Sequence, residues 1–175
     1  MLSLVLLPNE KYSLPVSAKL FIKIGEKLEY CLETANHGGE EFCFSEALHC
    51  YFNVSSLENI AIKGLSGCQY KSSLDGKIYQ QDADLRINGE FDAAFLDHTG
   101  AIEINDSGYK RSICIEKSGS RSTVVWNPAK DLAEMSAGQY KQFVCVEPAN
   151  QGDCFVQLKP HETHRISMTI QVKKL

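Results

Sequence analysis

The sequence has few of the features that tie a protein to a membrane, to nucleic acid or to the secretory pathway. No apolar run approaches the roughly 20 residues that cross a bilayer, so no membrane partner is expected. No run of lysine or arginine could follow a phosphate backbone, and 18 basic against 22 acidic residues give a net charge of −4, so nucleic acid is not expected either. Met1 to Pro8 lacks the basic start and the small-residue cleavage site of a signal peptide, which predicts a cytoplasmic protein.

Close cysteine pairs are also missing. The seven cysteines are an odd number, and no two of them are separated by only two residues. Metal and redox motifs use such pairs to wrap the chain around one ion, so no metal site is predicted. Several cysteines lie inside apolar strand patterns, where the thiol behaves as a small buried hydrophobe, and this favours a reducing compartment.

Short strand patterns fill the chain instead. Leu20, Ile22 and Ile24 alternate with polar or small neighbours, which is the period of a half-buried strand. About ten or eleven such runs recur between turn signals, and only Ala129 to Gly138 favours a helical turn or two. The 175 residues are enough for one core. The pattern therefore predicts a single domain over residues 1–175, an all-β antiparallel sandwich.

Several local predictions follow from turn chemistry. Pro8 and Asn9 predict a turn after the first strand. The strand pattern fades from Cys68 to Gln81, and Ser72 to Gly76 reads as a surface loop. A strand is predicted at Asp84 to Ile87, followed by a hairpin at Asn88-Gly89 because this dipeptide favours tight turns. His98, His161 and His164 are interpreted as surface histidines.

Two residues suggest chemistry. His49 lies in an aromatic-rich stretch, Ser45 to Val54, and Glu147 ends the apolar pattern Phe143 to Pro148. A partly desolvated histidine and a carboxylate on rigid strand ends could transfer protons to and from one small substrate. From composition alone, the simpler explanation is that both residues are hydrogen-bonded core groups, as most histidines near aromatic residues are.

Five motifs in order give the chain a family resemblance. They resemble the hexose-6-phosphate mutarotases, or glucose-6-phosphate 1-epimerases, of the galactose-mutarotase-like, aldose 1-epimerase superfamily. The resemblance covers roughly residues 18 to 172 and corresponds to the C-terminal portion of those proteins. The motifs are Phe44–Val54, Ile62–Leu65, Asn88–Asp92, Val124–Pro128 and Tyr140–Glu147.

The resemblance implies a β-sandwich that holds a sugar and an enzyme that interconverts its anomers. His49 matches the family's general acid, Glu147 its general base, and Asp92 the carboxylate that holds sugar hydroxyls. Tyr51 and Trp126 either flank the sugar ring or pack in the core. Ring opening needs only a proton taken from the C1 hydroxyl and a proton given to the ring oxygen, which a carboxylate and an imidazolium on opposite sides of the ring can do together. No metal or organic cofactor is therefore expected, and the expected partner is a sugar or sugar phosphate.

The chain also departs from the family. The resemblance does not extend to the N-terminal portion of the family's proteins, which lies near the sugar and its phosphate. The first arginine of this chain is Arg86. Arginine forks or helix N-termini usually hold a phosphate, so the candidates are reduced to scattered lysines and Arg86, Arg111, Arg121 and Arg165. A half-sandwich exposes sheet edges, which predicts either a homodimer or a rearranged compact sandwich. The alternative function is a non-catalytic, degenerate carbohydrate-binding sandwich.

Overall fold

The structure, a computed structural model, describes residues 1–7, 14–133 and 135–175. These ranges contain 16 strands, three short 3₁₀ helices and no α-helix. None of the described helices is long and apolar enough to cross a membrane. The strands are β1 (Leu2–Leu6), β2 (Val16–Ile24), β3 (Leu28–Asn36), β4 (Phe42–Phe44), β5 (Glu46–Ala47), β6 (Tyr51–Asn53), β7 (Ile60–Lys63), β8 (Gln69–Ser72), β9 (Ile78–Gln80), β10 (Phe91–Phe95), β11 (Ile102–Asp106), β12 (Arg111–Ser118), β13 (Ser122–Asn127), β14 (Phe143–Asn150), β15 (Val156–Leu158) and β16 (Thr163–Lys174).

Two large antiparallel sheets form the fold, which confirms the predicted all-β sandwich. The first sheet has the strand order β1-β2-β3-β16-β12-β11-β7. The second has the order β5-β14-β13-β10-β8-β9, and β6 also pairs with β14. Strands β4 and β15 pair separately.

The core lies between the two large sheets. Ile104, Ile115 and Ile166 project from the first sheet and Phe95 and Val125 from the second, and all five side chains are fully buried. Alternate residues of each strand supply these side chains, because successive residues point to opposite faces. Since the core occupies one face of the second sheet, the other face is available for function.

The Asn88-Gly89 hairpin prediction is wrong. Strand β10, which follows it, pairs with β8 and β13 and not with the preceding segment. The predicted strand at Asp84 to Ile87 is reduced to a single bridge between Leu85 and Ile62. Gly89 does adopt a positive φ of 134°, but long-range pairing decides which strands meet.

The surface loop predicted at Ser72 to Gly76 is confirmed as the exposed turn of a hairpin, whose strands β8 and β9 lie in the stretch where the strand pattern fades. The Ser72 amide donates to the Lys77 carbonyl at 2.9 Å, which closes its turn. Strand β9 is exposed along its whole length, so its residues carry no alternating pattern. The described residues between Ala129 and Gly138 contain no helix, and a 3₁₀ turn follows at Gln139–Gln142. The turn predicted at residues 8 and 9 lies outside the described residues.

Two histidines predicted to be on the surface are not free there. His98 is only 6% exposed, with its Nδ1 at 2.8 Å from the Thr123 hydroxyl and its Nε2 at 3.0 Å from the Gly64 carbonyl. His164 lies 2.8 Å from the buried carboxyl group of Glu46. Both histidines join segments distant in sequence, which a turn pattern around each residue does not reveal.

Candidate active site

The residues singled out by the sequence lie on one face of the second sheet. Asp92 on β10 is opposite Trp126 on β13, Trp126 is opposite Cys145 on β14, and Cys145 is opposite Tyr51 on β6. Directly opposite residues of antiparallel strands project from the same face, as do residues two apart in one strand. Glu147 therefore shares this face, which is the one turned away from the core.

His49 and Glu147 meet on this face. His49 precedes β6, and the pairing of β6 with β14 brings it to Glu147, with Nδ1 at 3.3 Å from Oε1. The His49 side chain is 50% exposed and that of Glu147 only 5%. The structure thus joins a solvent-accessible imidazole to a buried carboxyl group from the other end of the chain.

The contact between the two groups is direct, so no sugar ring fits between them, and the expected placement on opposite sides of the ring is wrong. Ring opening does not require such a gap, because the C1 hydroxyl oxygen and the ring oxygen are bonded to the same carbon. A proton donor and a proton acceptor side by side can therefore address both oxygens from one side of the sugar.

Burial shifts the two pKa values in opposite directions and reverses their order. Burial, with the negative charge of Asp92 as a smaller cause, raises the pKa of Glu147 to about 7. Burial lowers the pKa of His49 from its ordinary value of 6.5. Both shifts disfavour the charged forms, and a carboxyl group that titrates near neutrality is suited to proton transfer at that pH.

Aromatic rings surround the pair. Tyr51 stacks on His49 with ring centroids 5.0 Å apart and an angle of 12° between the planes. Trp126 presents an edge to both rings, at 5.8 Å from His49 and 6.0 Å from Tyr51. Phe143 packs against Tyr51 at 5.1 Å and Trp126 at 5.9 Å. Tyr51 is 49% exposed, so it both orients the imidazole and offers a ring surface to solvent.

Sequence reasoning missed Cys145 and Phe143 as parts of this site. Both alternate with Glu147 along β14, and therefore lie on the same face. Cys145 is fully buried, and burial raises the pKa of its thiol well above the ordinary range. The spacing of residues 143, 145 and 147 was the available signal.

Hollows adjoin the row of site residues, and two of them lie toward β8. One, of about 270 Å³, is lined by Asp92 together with Tyr70 and Tyr79. The other, of about 360 Å³, is lined by Lys71 and Ala94 among others. Lys71 is opposite Ala94 in the register of β8 with β10, so it projects from the same face as the acid and base candidates.

The four arginines considered for phosphate binding all contact other groups. Arg86 donates to the Ile60 carbonyl and Arg111 to the Asn53 carbonyl. The other two make exposed ion pairs, Arg121 with Asp97 and Arg165 with Glu33.

Comparison with known proteins identifies relatives of this fold and site. A sequence model described as "Aldose 1-epimerase" matches residues 1–171. A protein of Cenchrus ciliaris named "Putative glucose-6-phosphate 1-epimerase" is 31% identical over 140 residues, covering 77% of this chain and 42% of that protein. A protein of the same name from Escherichia coli K12 is 29% identical over 157 residues, covering 87% and 52%.

A solved structure agrees with the fold. The crystal structure of "a putative mutarotase" from Salmonella typhimurium superposes with a TM-score of 0.88 at 26% identity, over 99% of this chain and 60% of that one. The chain spans about half the length of the two curated relatives, at 42% and 52%.

Proposed function

The chain belongs to the aldose 1-epimerase family, and from this premise we propose that it interconverts the α and β anomers of a hexose 6-phosphate. The observation that carries the proposal is the contact of His49 with Glu147, 3.3 Å between Nδ1 and Oε1. An acid and a base that are this close can act on two oxygens of one carbon.

In the proposed reaction Glu147 is the base and His49 the acid. The Glu147 carboxylate removes the proton of the C1 hydroxyl, and the His49 imidazolium protonates the ring oxygen as the bond from C1 to that oxygen breaks. The product is an open-chain aldehyde. Rotation about the C1–C2 bond presents its other face, and the two proton transfers then run backwards to close the opposite anomer.

The reactive state of this pair holds one proton, located on His49. Because the pKa of Glu147 is raised to about 7 and that of His49 is lowered, the same single proton resides more often on Glu147. The reactive arrangement is then a minor form of the singly protonated pair. His49 is the half-exposed member, so it can exchange its proton with solvent.

Asp92, Tyr51 and Trp126 have binding roles in this proposal. Asp92 shares the face of Glu147 and faces a hollow, which suits a carboxylate that accepts hydrogen bonds from sugar hydroxyls. The exposed ring surface of Tyr51 suits contact with the apolar face of a pyranose. Trp126 supports His49 and Tyr51 by edge contacts.

We propose Lys71 as the contact of the 6-phosphate. Glu147, Val124, Ala94 and Lys71 are opposite one another on four adjacent strands. Three strand spacings put the Cα atoms of Glu147 and Lys71 about 14 Å apart. A hexose 6-phosphate spans much of this distance, and the long flexible stem of lysine spans the rest.

A cytoplasmic location fits this reaction, since hexose phosphates are cytoplasmic metabolites and all seven cysteines of the chain are free thiols.

The test is the anomerisation rate of glucose 6-phosphate, measured by exchange NMR against the spontaneous rate in the same buffer. We expect acceleration by the full chain, and a loss of roughly 10²- to 10⁴-fold in Glu147→Gln and in His49→Asn. A folded wild-type chain that binds the sugar phosphate without acceleration would support the alternative, a non-catalytic carbohydrate-binding sandwich.

A further inference from the structure

Three side chains that commonly bind metals meet at the candidate site. One ligand atom each from His49, Cys145 and Glu147 lies within 4.8 Å of the other two. Cys145 and Glu147 are buried and His49 is half exposed. The two buried ligands would shield a metal ion from solvent on one side, and the solvent-facing ligand leaves a path by which the ion can enter. An exposed cluster of carboxylates offers no such shielding.

The spacing of these atoms is close to that of a tetrahedral zinc site. Zinc binds histidine nitrogen and carboxylate oxygen at about 2.0 to 2.2 Å and thiolate sulfur at about 2.3 Å. Tetrahedral angles then put nitrogen and oxygen ligands about 3.3 Å apart and sulfur about 3.5 Å from either. The observed separation of His49 Nδ1 and Glu147 Oε1 is 3.3 Å. The sulfur of Cys145, within 4.8 Å of the other two ligand atoms, needs to approach by at most about 1.3 Å.

We infer that His49, Cys145 and Glu147 form a binding site for Zn²⁺ in which bound zinc excludes the sugar. Three protein ligands with a fourth position for water are the usual composition of an open zinc site. The thiolate and imidazole select zinc over Mg²⁺ and Ca²⁺, which prefer oxygen ligands. Tyr51, stacked on His49, holds the ring in place, and the nearby charge of Asp92 favours a cation.

The zinc site would occupy both groups proposed for catalysis. Bound zinc coordinates the lone pairs that the base and the acid need for proton transfer. Zinc is therefore expected to inhibit anomerisation in competition with the sugar. The binding itself depends only on the three ligands, so it can be measured whether or not the chain turns over a sugar.

The experiment uses the full chain after treatment with a chelator and titrates it with Co²⁺ and then with Zn²⁺. We expect one Co²⁺ per chain with a thiolate-to-cobalt charge-transfer band, and displacement of the cobalt by zinc. Cys145→Ser should abolish the band, and His49→Asn should lower zinc affinity at least about tenfold. Cys43→Ser is the matched control, because Cys43 is an exposed cysteine on β4, and it should retain the band.

A titration without the band, or a band that survives in Cys145→Ser, overturns the inference. Circular dichroism of each variant separates lost binding from lost folding, and the Cys145→Ala variant repeats the test without a hydroxyl. Failure of the proposed function gives a different result: the cobalt band is present, but no anomerisation is detected at any metal concentration.

Discussion

The pH dependence of anomerisation tests the proposed acid and base most directly. The reactive pair holds one proton, so kcat/KM should follow the singly protonated form, which is lost when the pair gains or loses a proton. Burial lowers the pKa of His49 and raises that of Glu147 to about 7. We therefore expect a bell-shaped profile whose acid limb belongs to His49 and whose alkaline limb, near pH 7, belongs to Glu147.

Replacing Asp92 should shift the alkaline limb of the expected pH profile in a known direction. Asp92 is the second cause of the raised pKa of Glu147, after burial, and the whole rise is from 4.5 to about 7. Asp92→Asn removes the smaller cause, so the alkaline limb should move to lower pH by no more than about one pH unit. The variant also weakens sugar binding, but this changes the height of the profile and not the position of the limb.

The measurement is kcat/KM by exchange NMR between pH 5 and pH 9, with Asp97→Asn as the control. Asp97 is an exposed carboxylate paired with Arg121, and its removal should leave both limbs in place. A rate that rises through pH 7 to a plateau would refute the reasoning, because a base that acts without a protonated partner gives that curve. An alkaline limb that Asp92→Asn leaves unmoved would refute the assignment of the limb to Glu147.

Three further predictions concern stability and substrate choice. The raised pKa of Glu147 means that the folded state loses stability as pH rises from about 4.5 to about 7. In urea unfolding, the free energy of unfolding of Glu147→Gln should therefore gain roughly 2 to 3 kcal/mol relative to wild type between pH 5 and pH 8. A difference that does not change with pH would contradict this. Lys71→Ala should raise KM for glucose 6-phosphate in the same NMR assay but not for glucose, and equal effects on both would exclude a phosphate contact. Ile104→Ala should cost about 2 to 5 kcal/mol in urea unfolding because Ile104 is fully buried, whereas Ile78→Ala, at a residue 58% exposed, should stay within about 0.5 kcal/mol.

The sequence predicts the fold class well because one face of most long strands is buried. Strand β11 alternates buried Ile102 and Ile104 with partly exposed neighbours, and this contrast is visible as period two. Strand β9 is exposed along its whole length, so it leaves no such pattern, and β8 alternates over only four residues. The Asn88-Gly89 signal fails for a different reason, because it reports local backbone preference and the partners of β10 are distant in sequence.

The site could be predicted in its parts but not in its arrangement. The family resemblance singles out His49 and Glu147, yet their direct contact depends on the register of β6 with β14, in which Tyr51 is opposite Cys145. That register is set by packing across the whole sandwich, and no local pattern encodes it. For the same reason the cysteine spacing gives no metal signal, since only one proposed zinc ligand is a cysteine and His49 is distant in sequence from Cys145 and Glu147 on β14.

The two faces of β14 determine which member of the proposed acid–base pair can move. Val144 and Val146 project into the core and are fully buried, so they fix the strand against the first sheet. Glu147 alternates with them and pairs opposite Val124 in a central position of the second sheet, which holds its backbone in place. His49 lies outside any strand and is half exposed. Because the two groups touch, any adjustment needed to admit a sugar, or a zinc ion, has to come from His49 while Glu147 remains fixed.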